Sequence, residues 1–311
     1  MQLKVKNSVN VFLLFLFSIV VAYIPWESVR NYKFVDLERN IERYKQYTYL
    51  YKNVDFSLVT SEPLWRYITH SLSHTIVSGE SFYSLVAIFC FFVFSCFIYI
   101  KTSRIAYCLL LINPIMLDFI LSQQRSCVAL AVLICLIPLK KPFKYFGYIP
   151  AVLIHTLSAV LIFINEVVER VYNFISESEL KKIVFALFFS FFIAFLTVYG
   201  RAVLLGYFND RRAGDYEAIG NSILYALPWL VYSLIVLWKS ECAEAPTIPV
   251  ISAIYLMVFF WVSVFDFYGS RYLAIGLPYF YIALRYVPKN TYLVFLLSMH
   301  QLLLLYIWLK I

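Results

Sequence analysis

Charged residues are scarce in this sequence, and so are the residues that break regular structure. Asp, Glu, Lys and Arg make up 14% of the 311 residues, whereas a soluble domain has about 25%. The chain has only 8 glycines and 11 prolines, which excludes collagen-like and low-complexity proteins. Hydrophobic residues reach 62% of the chain, so the composition also excludes an ordinary soluble protein.

Several common catalytic and metal-binding signatures are also absent from the sequence. It has no P-loop, no HExxH, no GxSxG and no paired acidic motif for a divalent metal, so nucleotide hydrolysis and zinc hydrolysis are not expected. The 6 cysteines show no CxxC spacing, and five of them lie in or beside apolar runs, where cysteine acts as a small hydrophobe. We expect no disulfide, no metal site and, without a basic-aromatic motif, no nucleic-acid partner.

Apolar runs of membrane-spanning length recur along the chain. Each run of about 18–20 residues crosses a hydrocarbon core of roughly 30 Å. The runs predict an all-α, polytopic integral membrane protein with a single transmembrane domain over 1–311. It would have about 9–11 membrane helices, including re-entrant or half-length helices. The spanning candidates are 8–25, 81–100, 104–121, 124–139, 183–200, 222–238, 249–267, 272–287 and 291–309.

Two segments do not fit a simple crossing. Residues 63–79 are short and polar, which predicts a re-entrant or interfacial helix. Residues 145–176 form either one crossing or two half-length helices broken near His155-Thr156, and only the second arrangement keeps the flanking lysine clusters on one side. Because lysines in short loops favour the cytoplasm, we expect the broken hairpin and a cytoplasmic N-terminus. Segments 26–62 and 201–221 then lie on the outer face.

The positive residues of the two predicted faces differ in type. The inner loops carry mostly lysine, whereas the outer face carries mostly arginine. A guanidinium binds phosphate or carboxylate through two parallel hydrogen bonds, so the pattern predicts an anion-binding site outside. The alternative is that these arginines form ion pairs with acidic residues of the outer loops. The outer arginines are Arg30, Arg39, Arg43, Arg66, Arg125, Arg201, Arg211, Arg212 and Arg271.

Arg125 and His155 occupy positions where a polar side chain is costly. Arg125 follows Gln124 between two apolar runs, and a charge at mid-bilayer costs at least ~2.5–3.5 kcal/mol, so it is a functional candidate; the alternative is an arginine that reaches the headgroups. His155 lies at the predicted helix break. It can accept a proton or hold a phosphate oxygen near neutral pH, or it can be an ordinary core histidine.

Glu62, Arg271 and the loop 201–221 can each have either a functional or a purely structural role. Glu62 precedes Pro63, so it is either a base or an acid that favours a helix start. Arg271 is either an anion ligand or the ion-pair partner of Asp266. The loop 201–221 mixes charges with tyrosines, which suits sugar recognition but also any solvated loop.

Three short motifs occur along the chain in this order: Glu62-Pro63-Leu64, Gln124-Arg125-Ser126 with Ala129, and Ile154-His155-Thr156 with Ser158-Ala159. Together they resemble the EpsG-like family of Wzy-type O-antigen and exopolysaccharide polymerases. The resemblance covers most of the chain in layout, and Asp36, Tyr207 and Tyr216 fall where that family also carries polar residues.

The resemblance implies a GT-C-like glycosyltransferase of the bacterial inner membrane that works on the periplasmic face without a metal or other cofactor. Such an enzyme transfers a growing glycan from undecaprenyl diphosphate to an incoming lipid-linked repeat unit. Its partners are the undecaprenyl-diphosphate-linked oligosaccharide donor and acceptor, membrane lipids and a chain-length regulator protein.

The expected site residues fall into three groups. The catalytic candidates are Arg125, His155, Asp36 and Glu62. The diphosphate-binding candidates are Arg125, Arg271, Arg211, Arg212 and Arg201. The sugar-binding candidates are Tyr207, Tyr216, Asp215 and Gln124.

Other functions remain open at this point. A flippase or exporter of the same lipid-linked sugars needs polar residues along both membrane halves. An O-antigen ligase or membrane acyltransferase would share the outer Arg/His site, and a non-catalytic scaffold would tolerate loss of Arg125 and His155.

Overall fold

The structure is a computed structural model that describes residues 5–46, 62–75, 77–200, 203, 207, 220–240 and 246–310. All regular elements within these ranges are helices, which confirms the all-α class. Four described helices are long and apolar enough to cross a membrane, and a bent pair makes a fifth. The chain is therefore compatible with a multi-pass membrane protein. The higher number of 9–11 membrane helices and the GT-C-like fold stay predictions.

The contacts divide the chain into two compact units. The first unit contains Met1–Phe163 and Leu296–Ile311, and the second contains Ile164–Phe295. Helices of the first unit are α1 (Val5–Tyr23), α2 (Trp26–Arg30), α3 (Val35–Gln46), α4 (Pro63–Ser73), α5 (Gly79–Thr102), a 3-10 helix (Ile105–Leu111), α6 (Pro114–Leu121), α7 (Gln124–Leu136) and α8 (Lys141–Ile154). Helix α9 (Leu157–Ile175) begins in the first unit and ends in the second.

The second unit is formed by long apolar helices. It contains α10 (Glu179–Phe195), which a π-helix (Leu196–Gly200) extends, and α11 (Ile223–Lys239), α12 (Thr247–Val264) and α13 (Ser270–Arg285). The last helix, α14 (Thr291–Lys310), begins in this unit and continues in the first. The four span-length helices are Gly79–Thr102, Glu179–Gly200, Thr247–Val264 and Thr291–Lys310.

The helix breaks predicted beside the polar motifs are present. Helices α6 and α7 meet at an angle of 98° across Ser122 and Gln123, so the hinge before Arg125 is confirmed. Helix α8 ends at Ile154 and α9 begins at Leu157, which confirms the break at His155-Thr156. The short helix α4 falls within the segment 63–79.

The structure differs from the sequence interpretation over 104–121. This run is not one continuous crossing, since the 3-10 helix ends at Leu111 and α6 starts at Pro114. Proline suits the first turn of a helix because it has no N–H to pair there. The Asn113 side chain accepts a hydrogen bond from the Ile115 N–H at 2.8 Å, which caps α6. Asn113 and Pro114 therefore restart the helix within an apolar run.

An aromatic cluster packs the ends of several first-unit helices together. Its buried members are Tyr44 of α3, Trp65 of α4, Phe82 and Tyr83 of α5, Ala129 of α7 and Ile154 of α8. Ring pairs within it have centroid distances of 5.0 Å to 6.4 Å, the range in which aromatic pairs attract one another. This cluster fixes the positions from which the three sequence motifs project.

Helix α14 contacts α2 and the segment that follows it through Arg30, which lies among aromatic rings. The Arg30 guanidinium carbon lies 4.6 Å from the Trp308 ring centroid and 5.0 Å from that of Phe34. The Trp26 ring also contacts Trp308, with centroids 6.1 Å apart. Because cation–π contacts of this length are attractive, Arg30 serves a structural role in joining these elements.

Gly276 allows the close approach of α12 and α13 in the second unit. A Cβ atom added to Gly276 would lie 2.7 Å from the Tyr255 Cβ and 2.8 Å from the Leu256 Cδ1. Small residues at such crossings let membrane helices pack closely. A Cβ added to Gly200 would meet its nearest neighbour, the Leu196 side chain, at an ordinary contact distance of 3.4 Å.

We expect Gly276→Ala to destabilise the second unit by about 1–3 kcal/mol, because the added methyl group forces α12 and α13 apart. Thermal unfolding of the detergent-solubilised protein measures the effect as a lower midpoint. Gly200→Ala is the matched control and should keep the wild-type midpoint. Equal midpoints for all three proteins would contradict this account of the helix contact.

Candidate active site

Glu62 stands at the N-terminus of α4 but does not cap the helix with its side chain. Its backbone is left-handed, with φ 60° and ψ 60°, a conformation that costs a non-glycine residue about 1–2 kcal/mol. One carboxylate oxygen accepts a hydrogen bond from Arg125 Nη1, and the other contacts His155 Nδ1. The carboxylate therefore makes no capping hydrogen bond and contacts Arg125 and His155 instead, although Glu62 still precedes the first turn of α4.

Broken helices position both partners of the carboxylate. Arg125 lies in the first turn of α7, directly after the 98° bend. His155 follows the end of α8 in an extended conformation, with φ −155° and ψ 125°. Each of the three residues is within four positions of a member of the aromatic cluster, namely Trp65, Ala129 and Ile154. The packing of that cluster thus brings together residues that are 63 and 93 positions apart.

The three side chains differ in their exposure. The Glu62 side chain is 6% exposed and that of His155 is 13% exposed, whereas that of Arg125 is 34% exposed. A buried carboxylate needs partners because a charge without them is very costly in a nonpolar environment. The more accessible Arg125 guanidinium can contact Glu62 and still present N–H donors to an outside anion, since it carries five.

The partners of Glu62 keep it ionised. Burial raises the pKa of Glu62, but the hydrogen bond and charge of His155, together with the charge and hydrogen bond of Arg125, outweigh burial. They lower the pKa of Glu62 from 4.5 to about 2. At neutral pH the carboxylate is therefore an acceptor only, and its contact with His155 requires a proton on Nδ1.

The contact with Glu62 determines the tautomer of a neutral His155. With the proton on Nδ1, the lone pair of the neutral ring lies on Nε2. A carboxylate that holds a histidine in this tautomer also stabilises the imidazolium that forms when Nε2 takes up a proton. Glu62, Arg125 and His155 can thus combine a fixed cation with a proton acceptor.

Gln124 and Asp36 differ in their relation to these three residues. Gln124 is 1% exposed and precedes Arg125 at the start of α7. Its Nε2 donates a hydrogen bond to the Tyr83 carbonyl at 2.9 Å. Asp36 lies on α3 with its side chain 47% exposed, and its carboxylate is 3.9 Å from Arg39. The ion-pair alternative thus holds for Arg39, and Asp36 has a partner other than the residues around Glu62.

Two predicted site residues lie in the second unit. Arg271 is half-buried in the first turn of α13, and Tyr207 is 82% exposed. Their roles in anion and sugar binding stay predictions. The remaining candidates lie outside the described residues: Arg201, Arg211, Arg212, Asp215 and Tyr216.

Comparisons of this chain with protein-family models, with curated proteins and with solved structures found no match. The resemblance to the EpsG-like family therefore stays a prediction from the sequence.

Sequence reasoning selected Glu62, Arg125 and His155 but missed that the carboxylate bridges the other two. It also missed Glu27, Glu80 and the aromatic residues around them, which line a cavity of the same unit. Glu80 was the one available signal, since it is an acid at the start of a long apolar helix.

The low pKa of Glu62 predicts how the stability of the fold changes at acidic pH. The lowered pKa means that the ionised group stabilises the fold fully above about pH 4.5, and that this contribution is lost as the pH falls toward 2. The change from 4.5 to about 2 corresponds to roughly 3 kcal/mol. We expect the thermal midpoint of the wild type to fall more steeply between pH 5 and about 3 than that of Glu62→Gln.

The control for this measurement is Glu177→Gln. Glu177 forms an exposed ion pair with Lys181, and such pairs contribute little to stability. This variant should follow the wild-type profile. If the thermal midpoint of Glu62→Gln also changes with pH as that of the wild type does, the pKa of Glu62 is not lowered in the folded protein.

Proposed function

We propose that this protein is a polysaccharide polymerase of the Wzy type in the bacterial inner membrane, with its active site on the periplasmic face. It transfers a glycan from undecaprenyl diphosphate to the sugar hydroxyl of an incoming lipid-linked repeat unit. The observation that carries the proposal is the buried Glu62 carboxylate that holds both Arg125 and His155. The three residues belong to the three motifs that resemble the EpsG-like family.

Arg125 is the proposed ligand of the diphosphate. As the bond between the anomeric carbon and the diphosphate oxygen breaks, both bonding electrons leave with the diphosphate, whose negative charge grows. A preorganised guanidinium stabilises that charge more in the transition state than in the ground state. The partly exposed Arg125 side chain, fixed on one side by Glu62, suits this role.

His155 is the proposed base. The acceptor hydroxyl transfers its proton to Nε2 of the neutral ring while its oxygen bonds to the anomeric carbon. Histidine suits this step because Glu62 holds the ring proton on Nδ1 and stabilises the imidazolium that forms. Glu62 acts as a positioning residue, since a carboxylate with a pKa of about 2 is a weak proton acceptor at neutral pH.

A ligase would use the same leaving group, and a flippase would carry the same lipid-linked sugars, so the test must separate these functions. Surface glycan from a deletion strain, resolved on a gel, does so. A one-repeat product indicates a polymerase, whereas loss of all lipid-A-attached glycan indicates a ligase. Lipid-linked units retained on the cytoplasmic leaflet indicate a flippase.

Arg125→Ala should abolish long glycan chains, with polymerisation at least about a hundredfold slower, because the leaving group loses its fixed donor. Arg125→Lys keeps the charge but loses the planar pair of donors, and should restore only part of the activity. The gel profile of a complemented deletion strain reports both. Arg39→Ala, which removes an exposed arginine of α3, is the control and should give wild-type chains. A normal chain-length distribution in Arg125→Ala would refute the role of this residue.

His155→Gln should lower turnover by roughly 10²–10⁴-fold, the usual contribution of a general base. The glutamine amide can still donate to Glu62, so folding and donor KM should change little. The measurement is polymer formation by purified protein with lipid-linked repeat units. His74→Gln, an exposed histidine at the end of α4, should retain activity. Wild-type turnover in His155→Gln would assign the base to another group.

A further inference from the structure

The first unit contains a cavity that the three motifs do not explain. Its volume is about 310 Å³, at the lower end of the range of small-ligand sites. Residues from α2, α3 and α5 line it, as do Leu121 and Gln124 on the two sides of the α6–α7 bend. Gln124 therefore lines the cavity, while Arg125, the next residue, binds Glu62.

The lining of the cavity is amphipathic. It has the carboxylates of Glu27 and Glu80, the rings of Trp26, Phe34 and Tyr83, and the Gln124 amide. No described lining residue is Lys, Arg or His. Because these carboxylates repel another anion, the lining disfavours a diphosphate. Carboxylate and amide oxygens accept hydrogen bonds from hydroxyls, so a neutral polyhydroxylated ligand suits it.

Two backbone contacts hold this lining in place. The Glu27 Oε1 accepts a hydrogen bond from the Phe34 N–H at 2.7 Å, which fixes a carboxylate beside an aromatic residue. The Trp26 Nε1–H donates to the Val21 carbonyl at 2.8 Å. The polar tip of Trp26 is therefore already bonded, and its ring supplies apolar surface, as Phe34 does.

The Gln124 side chain has a hydrogen-bond acceptor, Oε1, that no group of the described residues satisfies. Its Nε2 is bonded to the Tyr83 carbonyl, but its Oε1 is buried without a hydrogen-bond partner. An unsatisfied buried acceptor is costly. A hydroxyl donor in the cavity would satisfy it.

We propose that this cavity binds a sugar residue of the acceptor repeat unit, with Gln124 Oε1 accepting a hydrogen bond from a sugar hydroxyl. The inference rests on the proposed function, since it assigns the sugar part of the substrate to the cavity and the diphosphate part to Arg125. Neighbouring residues of α7 then bind the two chemically different parts, and each can be tested with its own probe.

The experiment measures two affinities in nanodiscs by microscale thermophoresis. One probe is the lipid-free oligosaccharide that mild acid releases from the strain's own lipid-linked repeat unit, and the other is farnesyl diphosphate. Gln124→Leu should weaken oligosaccharide binding roughly three- to tenfold, the value of one hydrogen bond, and leave farnesyl diphosphate binding unchanged. Phe34→Leu removes a lining ring and should also weaken only the oligosaccharide. Arg125→Lys should weaken only farnesyl diphosphate.

The matched control is Gln301→Leu, which removes a buried glutamine of α14 outside the cavity lining and should change neither affinity. Wild-type oligosaccharide affinity in both Gln124→Leu and Phe34→Leu would overturn the sugar site. If Arg125→Lys still weakened farnesyl diphosphate in that case, the proposed function would stand. Unchanged farnesyl diphosphate affinity in Arg125→Lys would instead count against the proposed function itself.

Discussion

The candidate active site depends on a negative charge that cannot exist without its two partners. The Glu62 carboxylate is almost fully buried, and leaving such a charge unpaired costs about 3–5 kcal/mol. The folded state of this unit therefore requires that Arg125 and His155 contact the Glu62 carboxylate. The left-handed backbone of Glu62 fits the same account, because a strained conformation persists only where surrounding contacts require it.

Helix ends, rather than helix faces, build this site. Glu62 precedes α4, Arg125 follows a bend of 98°, and His155 lies between α8 and α9. Polar backbone groups exposed at such breaks are tolerated at membrane depth only inside protein or beside water. Breaks of this kind thus mark positions where polar side chains can meet, and the aromatic cluster around Trp65 supplies the rigid support.

The sequence allowed prediction of the individual parts but not of their pairing. The break at His155 and the hinge before Arg125 were predictable because polar residues interrupt apolar runs there. The contacts of Glu62 with Arg125 and His155 were not predictable. These partners lie 63 and 93 positions after Glu62 in the sequence, and no local sequence pattern indicates a contact over that separation. The start of α6 at Pro114 was missed because its signals, Asn113 and Pro114, lie within a run that is otherwise mostly apolar. The cavity was missed because its lining comes from separate helices.

One consequence follows from the arginine enclosed by rings. Phe34 belongs both to the lining of the cavity and to the group of rings around Arg30, which includes Trp308. Any ligand that displaces the Phe34 ring also alters the surroundings of the Trp308 indole. Because the chain has 6 tryptophans, the difference in intrinsic emission between the wild type and Trp308→Phe can serve as an optical reporter of cavity occupancy, with no label added to the protein.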